Sequence, residues 1–256
     1  MKKSFLYTAV AVLLSIRGEV FGQGAFPCAI QLTPSAGAGE LQRQRIEDVL
    51  GSGFNHFWVY NFSGQGTKEL LNYAFSRGMS IDYMTSGFEG FDRYKAPAIS
   101  VYAEQYGSDV RRRVDSGLAP LKGIDGVYSV FPFLDEPFHA GPESFDFSGA
   151  AKAEFRKRYG YAMPDSLGGV RNDPRKWLDL LNFQSSCFSD GWKQVYHAVK
   201  ELDPRWKVVM THDSHNVFGA GVRSNSRVAM DDVFHWGGDF ADVLVYDIYP
   251  YMTFDY

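Results

Sequence analysis

Short apolar runs and stretches of helical period alternate along this chain. Residues 26–32 form a first apolar run. Residues 39–50 follow with Leu41, Ile46, Val49 and Leu50 at helical spacing, and Gly51 and Gly53 stop them. A second run, 54–60, ends in Asn61 and a Ser-Gly-Gln-Gly turn. Thr67 is placed to cap a helix through Phe75, before Gly78. Residues 79–84 give a third strand, followed by a loop rich in glycine and aromatics at 86–94. Residues 100–121 read as mostly helical, with a break near Gly117. The fourth run, 123–134, ends abruptly in Asp135, Glu136 and Pro137.

A longer helical region comes next. Residues 147–159 predict one helix and 160–169 a loop. Asp173-Pro174 is an N-cap followed by proline at the first helical position. From there Leu181, Phe188, Trp192, Val195 and Val199 keep one apolar face up to Asp203-Pro204. Residues 206–211 predict a fifth strand ending in His212 and Asp213. A short helix is expected at 228–236 and a sixth strand at 241–248, with Asp247, Tyr249 and Tyr251 near its end.

Strand-then-helix alternation implies an α/β fold with a parallel sheet, either a closed barrel or an open doubly wound sheet. No Gly-rich phosphate loop follows the first strand, which removes the best sign of a dinucleotide fold. A (β/α)8 barrel of TIM type has eight strands. Six are readable here, so the expectation is an N-terminal fragment of such a barrel covering about six β/α units.

Composition narrows the function classes. The chain is 45% hydrophobic and 22% charged, with a net charge of −4 and no basic face to suit nucleic acid. Residues 1–22 read as a signal peptide: Lys2 and Lys3, an apolar stretch at 5–16, and small residues around Gly22 before a cut ahead of Gln23. The apolar stretch is too short for an ordinary transmembrane span. The expectation is therefore a secreted or periplasmic protein, free of the membrane after signal cleavage, with residues 23–256 forming the barrel. Cys28 falls in a strand and Cys187 in mid-helix, which favours two buried free thiols over a disulfide. The sequence sets no oligomeric state.

Polar groups recur at the strand ends: Asn61, then Asp135 and Glu136, then His212 and Asp213, then Asp247 with Tyr249. On a barrel these all face one rim, where catalytic groups collect. His212, Asp213 and His215 also suggest a metal-assisted hydrolase, though His-Asp-x-His lacks a strong zinc spacing. His139 stands near the acidic pair, and Trp236, Tyr249 and Tyr251 could form a stacking platform or simply pack. No Gly-x-Ser-x-Gly elbow is present, and neither cysteine has a histidine at a nucleophile-like position.

The stretch Phe133-Leu134-Asp135-Glu136-Pro137 resembles the Asn-Glu-Pro acid/base motif of the large clan of (β/α)8-barrel retaining glycosidases. Residues 155–160 (FRKRYG), Trp177, the long helix to Asp203-Pro204, and the strands 208–212 and 243–250 resemble the beta-galactosidase-like group, glycoside hydrolase family 42. The resemblance covers strands four to six. It implies a glycoside hydrolase needing no cofactor, acting on an oligo- or polysaccharide with two carboxylates. Glu136 matches the general acid/base, and the nucleophile is expected on a seventh strand beyond residue 256. Asp135, Asn61, His212, Asp213, Asp247 and Tyr249 are the expected substrate-binding residues. Asp135 departs from the family's asparagine, and its charge would raise the Glu136 pKa if both are buried. A catalytically inactive barrel that binds glycans is the alternative of a different class.

Overall fold

A computed structural model describes residues 29–32, 39–60, 65–85, 100–132, 145–166, 168–170, 172–213 and 240–247. Six strands, β1 (Ala29–Leu32), β2 (His56–Tyr60), β3 (Ser80–Met84), β4 (Val127–Phe131), β5 (Lys207–Asp213) and β6 (Val243–Asp247), form one sheet in the order 1-2-3-4-5-6. Every neighbouring pair is parallel. The expected alternation therefore resolves against a doubly wound sheet, which starts in the middle and reverses direction at a switch point. Strand order that never reverses, joined by right-handed crossovers, keeps the helices on one face.

That layer contains α1 (Gly39–Gly51), α2 (Gln65–Ser76), α3 (Tyr106–Leu118), α4 (Gly149–Tyr159) and α5 (Pro174–Leu202). Helix α3 buries Tyr106, Val110, Val114 and Leu118, one residue per turn, so a single stripe meets the core. The 29 residues of α5 extend about 43 Å at 1.5 Å per residue. Its buried side includes Leu180, Leu181, Phe183, Trp192, Val195 and Val199. The expected stripe is present at Leu181, Trp192, Val195 and Val199; the Phe188 side chain lies outside the described set. The stripe is wider than the sequence suggested: α5 packs on α3 and also joins the sheet side chains in one core cluster.

Close approach fixes that helix pair. A Cβ on Gly191 would stand 2.9 Å from the Tyr106 hydroxyl and 3.1 Å from Val101, so any larger residue forces these side chains to shift. Phe155 of α4 stacks on Tyr159 at 4.5 Å and meets Phe183 edge-on at 5.2 Å, joining α4 to α5. Ser148 caps α4 by accepting from Ala151 N, and Gly160, at φ 80°, closes it in the left-handed conformation that favours glycine. Asp173 caps α5 as expected, accepting from Lys176 N at 3.1 Å.

Several element ends shift from expectation. Helix α2 already includes Gln65 and Gly66, so Thr67 lies within its first turn and is not the cap. The helical stretch near 100–121 narrows to α3 and a one-turn 3-10 helix, Ala119–Leu121. The change of winding falls at Pro120, which has no N–H to continue an α-helix, and not at Gly117. Strand β4 is shorter than the 123–134 run, because 123–126 forms a turn with Gly123 at φ 79°. Strand β5 extends to Asp213, so His212 and Asp213 belong to it. Cys28 and the helix expected at 228–236 lie outside the described residues. Cys187 is a buried free thiol, and burial pushes its pKa up, leaving it unreactive at neutral pH. No helix among the described residues is long and apolar enough to cross a membrane.

Candidate functional site

The sheet has two buried faces. Phe57, Val59, Ile81, Tyr83, Val130, Val208 and Met210 join the helix side chains in one apolar cluster. The alternate positions, His56, Trp58, Asp82, Met84, Ser129, Phe131 and Val209, are also buried but stand outside that cluster. Period-two alternation puts them on the opposite, inner face.

The two strands β3 and β4 stay in phase only through a bulge. Ile81 pairs with Val127, but Asp82 pairs with Ser129, so Tyr128 is the extra residue. Without it, Val127 and Ser129 would face the same way. With it, Val127 enters the helix-side core while Ser129 and Phe131 reach the inner face. Tyr128 itself packs edge-on against His56 at 5.1 Å.

The inner face is built in two levels. At the first, His56 Nδ1 donates to Asp82 Oδ2 at 2.8 Å and Ser129 Oγ donates to Asp82 Oδ1 at 2.5 Å. A carboxylate only accepts, so this geometry puts the imidazole hydrogen on Nδ1. Asp82 is fully buried with a partner on each oxygen, the condition under which a buried acid is tolerated. Trp58 stands in register with Asp82, at this same level. The second level, nearer the strand C-termini, is apolar: Met84 pairs with Phe131, and the Phe131 ring meets that of Trp58 edge-on at 5.0 Å. The Trp58 indole Nε1 is buried and has no hydrogen-bond partner among the described residues. An unpaired buried donor costs about 1–3 kcal/mol.

Beyond this level lies the C-terminal edge. Thr85 N donates to Phe131 O at 3.0 Å, and Thr85 Oγ1 donates to Pro132 O at 3.2 Å. These bonds continue the β3–β4 ladder to the end of the described segment, four residues before Glu136. On the far side of that segment, Gln184 holds residue 146 from both sides. Its Oε1 accepts from Asp146 N at 2.8 Å and its Nε2 donates to Asp146 O at 3.0 Å.

At β5 and β6 the register pairs His212 with Tyr246 and Asp213 with Asp247. Asp213 and Asp247 thus stand side by side at the C-terminal ends of adjacent strands, on the register line of Val209 and Val243. His212 occupies the alternate position. The entry to β6 is tied to its neighbours: Asp242 Oδ2 accepts from Val208 N at 2.8 Å and pairs with Lys200 Nζ at 2.6 Å, while Trp192 Nε1 donates to Phe240 O at 2.7 Å.

Of the residues singled out in sequence, the structure thus brings Asp213 and Asp247 together and places His212 one step below them. Asn61, Asp135, Glu136, His139, His215, Trp236, Tyr249 and Tyr251 lie outside the described residues. Among the described residues no group of three metal-ligating side chains occurs. Sequence reasoning missed His56, Trp58, Asp82 and Ser129. A signal was present: His56, Trp58 and Tyr60, like Ser80 and Asp82, occupy every second position of otherwise apolar strands.

No family model matches the chain, and no curated protein matches it. Solved structures do. A cold-adapted beta-galactosidase from Rahnella sp. R3 superimposes with a TM-score of 0.61 at 12% identity, covering 94% of this chain and 41% of that one. A polyextremophilic beta-galactosidase from Halorubrum lacusprofundi gives 0.59 at 13%, covering 87% and 40%. A beta-galactosidase from the psychrophilic Marinomonas ef1 gives 0.58 at 14%, again covering 87% and 40%. At these identities the likeness is one of fold. The chain spans about two fifths of the length of these three solved structures, and what it shares with them is a singly wound, parallel α/β sheet.

Proposed function

We propose that the chain is the barrel portion of an exported retaining glycoside hydrolase, with Glu136 as its general acid/base. The observation that carries this reading is the strand order. In a sheet that runs 1-2-3-4-5-6 without reversal, β4 is the fourth strand, and the segment leaving its C-terminal end holds Leu134-Asp135-Glu136-Pro137. The inner face is buried as well as the helix side, which fits a sheet that curls on itself toward a (β/α)8 barrel. The likeness to three beta-galactosidases makes a β-galactoside the first substrate to test.

On this reading Glu136 protonates the leaving oxygen while a second carboxylate, carried by an element outside β1–β6, attacks the anomeric carbon. The two groups stand about 5–5.5 Å apart in retaining enzymes. Asp213 and Asp247 line the same rim and accept sugar hydroxyls, with Asn61, Asp135, His212 and Tyr249 completing the contacts. That role needs Glu136 protonated when the substrate binds, a state that a nearby second carboxylate would favour.

Two experiments test it. In the complete protein, which carries the second carboxylate, Glu136→Ala should lower hydrolysis of an alkyl β-galactoside by about 10²–10⁴-fold, the usual contribution of a general acid. An aryl galactoside with a good leaving group should lose less, and added azide should restore turnover. Equal activity of wild type and variant toward the alkyl substrate would remove Glu136 from the mechanism. Export is checked by N-terminal sequencing of the secreted protein, expected to begin at Gln23; a product retaining residues 1–22 would contradict it.

A further inference from the structure

We propose that Thr85 and Gln184 are positioning residues: they clamp the two ends of the connection between β4 and α4 and so aim Glu136, which that connection carries. The proposal rests on the acid/base reading of Glu136. Its observation is a pair of buried side chains, each bonded to the backbone at one end. At the first end the strand ladder runs out. Thr85 N donates to the carbonyl of Phe131, the last residue of β4, at 3.0 Å. Pro132 follows, and a proline has no N–H to continue the pairing. Its carbonyl is the polar backbone group that remains, and the Thr85 hydroxyl donates to it at 3.2 Å. Both residues are buried, so competing water is kept from the bond. Asp135 and Glu136 come next but two in the chain.

At the other end the tie is a fully buried amide. Gln184 belongs to the same buried stretch of α5 as Leu180, Leu181, Phe183 and Cys187. A buried amide is tolerated there because it is fully hydrogen-bonded. Gln184 accepts from Asp146 N and donates to Asp146 O, and two bonds to one residue fix its orientation as well as its place. Asp146 in turn accepts from Ser148 N through Oδ1 at 2.9 Å, and Ser148 caps α4. Phe145 is buried in the core cluster beside it. Core packing alone explains neither side chain: valine has the shape of Thr85, methionine the length of Gln184, and both are more apolar. What the two polar groups add is a defined start and finish for the chain that bears the acid. A general acid must come within about 2.6–3.2 Å of the oxygen it protonates, and a misplacement of about 1 Å can cost about 10²-fold.

The test is a leaving-group comparison in the complete protein. For wild type and each variant, kcat/KM is measured on an alkyl β-galactoside, whose leaving oxygen needs the acid, and on an activated aryl β-galactoside, whose leaving group does not. Partial unfolding lowers both rates alike, so the alkyl-to-aryl ratio reports folded molecules and a merely structural role would not move it. Thr85→Val keeps the shape and removes the hydroxyl; Gln184→Met keeps the length and removes the amide. Each should lower the ratio by about ten- to a hundred-fold. Thr85→Ser, which restores the hydroxyl, should recover most of that loss; a ratio as low as that of Thr85→Val would assign the effect to packing and overturn the role of Thr85. Thr85→Val is the milder change and reads the proposal even where Gln184→Met fails to fold. An unchanged ratio in Thr85→Val or Gln184→Met, beside a reduced ratio in Glu136→Ala, would overturn the proposal for that end and leave the acid/base reading standing. An unchanged ratio in Glu136→Ala would overturn both.

Discussion

Individual side chains divide here into those that secure the helical layer and those that face the other way. Glu47 belongs to the first group. Arg77 grips it through Nε at 2.7 Å and Nη2 at 2.9 Å, and Tyr73 donates to the same carboxylate at 2.5 Å. The Arg77 hydrogen bond, followed by that of Tyr73, holds its pKa down at about 2. A carboxyl whose folded pKa is depressed stabilises the fold above its unfolded value near 4.3, and the contribution disappears as pH falls toward 2. Thermal unfolding followed across that window should show Glu47→Gln losing less stability on acidification than the wild type. Parallel curves for the two proteins would show that the α1–α2 contact does not depend on this charge. Asp82 belongs to the second group. Neither its sequence position nor its neighbours announced that His56, 26 residues earlier, and Ser129, 47 residues later, would meet it. That chain of bonds depends on parallel register and on one bulge.

At the scale of elements, periodicity predicted existence and type, while ends were decided locally. The α5 stripe and its cap at Asp173 were readable because spacing and capping chemistry are properties of the sequence itself. The α3–α5 contact was not. Gly191 looks like a weak point within a helix, yet it is the position where Tyr106 and Val101 press against the α5 backbone. Gly191→Ala should therefore destabilise by about 1–3 kcal/mol through overpacking, although alanine is the better helix former. Urea denaturation measures this directly, and a more stable variant would show that the two helices have room to separate.

For the molecule as a whole, strand order matters most. A singly wound sheet gathers the C-terminal ends of all its strands on one edge, so residues far apart in sequence share one rim. It also ranks the strands: β3 has described neighbours on both sides, while β1 and β6 each have one. Native-state hydrogen exchange should find the β3 amides among the slowest and those of β1 and β6 faster, since edge ladders open without unfolding the rest. Protection of β1 equal to that of β3 would mean that β1 has a second strand beside it, the signature of a closed barrel.

The sequence by itself determined the alternation of six strands with helices, the α5 cap at Asp173 and the apolar stripe of α5. Those features depend on neighbours within a few residues, where period and side-chain chemistry act directly. Only the tertiary structure decided that the order is singly wound, that Asp213 pairs in register with Asp247, and that Tyr128 is a bulge. It also decided that Trp58 keeps a buried donor with no partner among the described residues. Each of these depends on register between strands separated by 20 residues or more, and register is set by packing across the sheet, which no local pattern encodes.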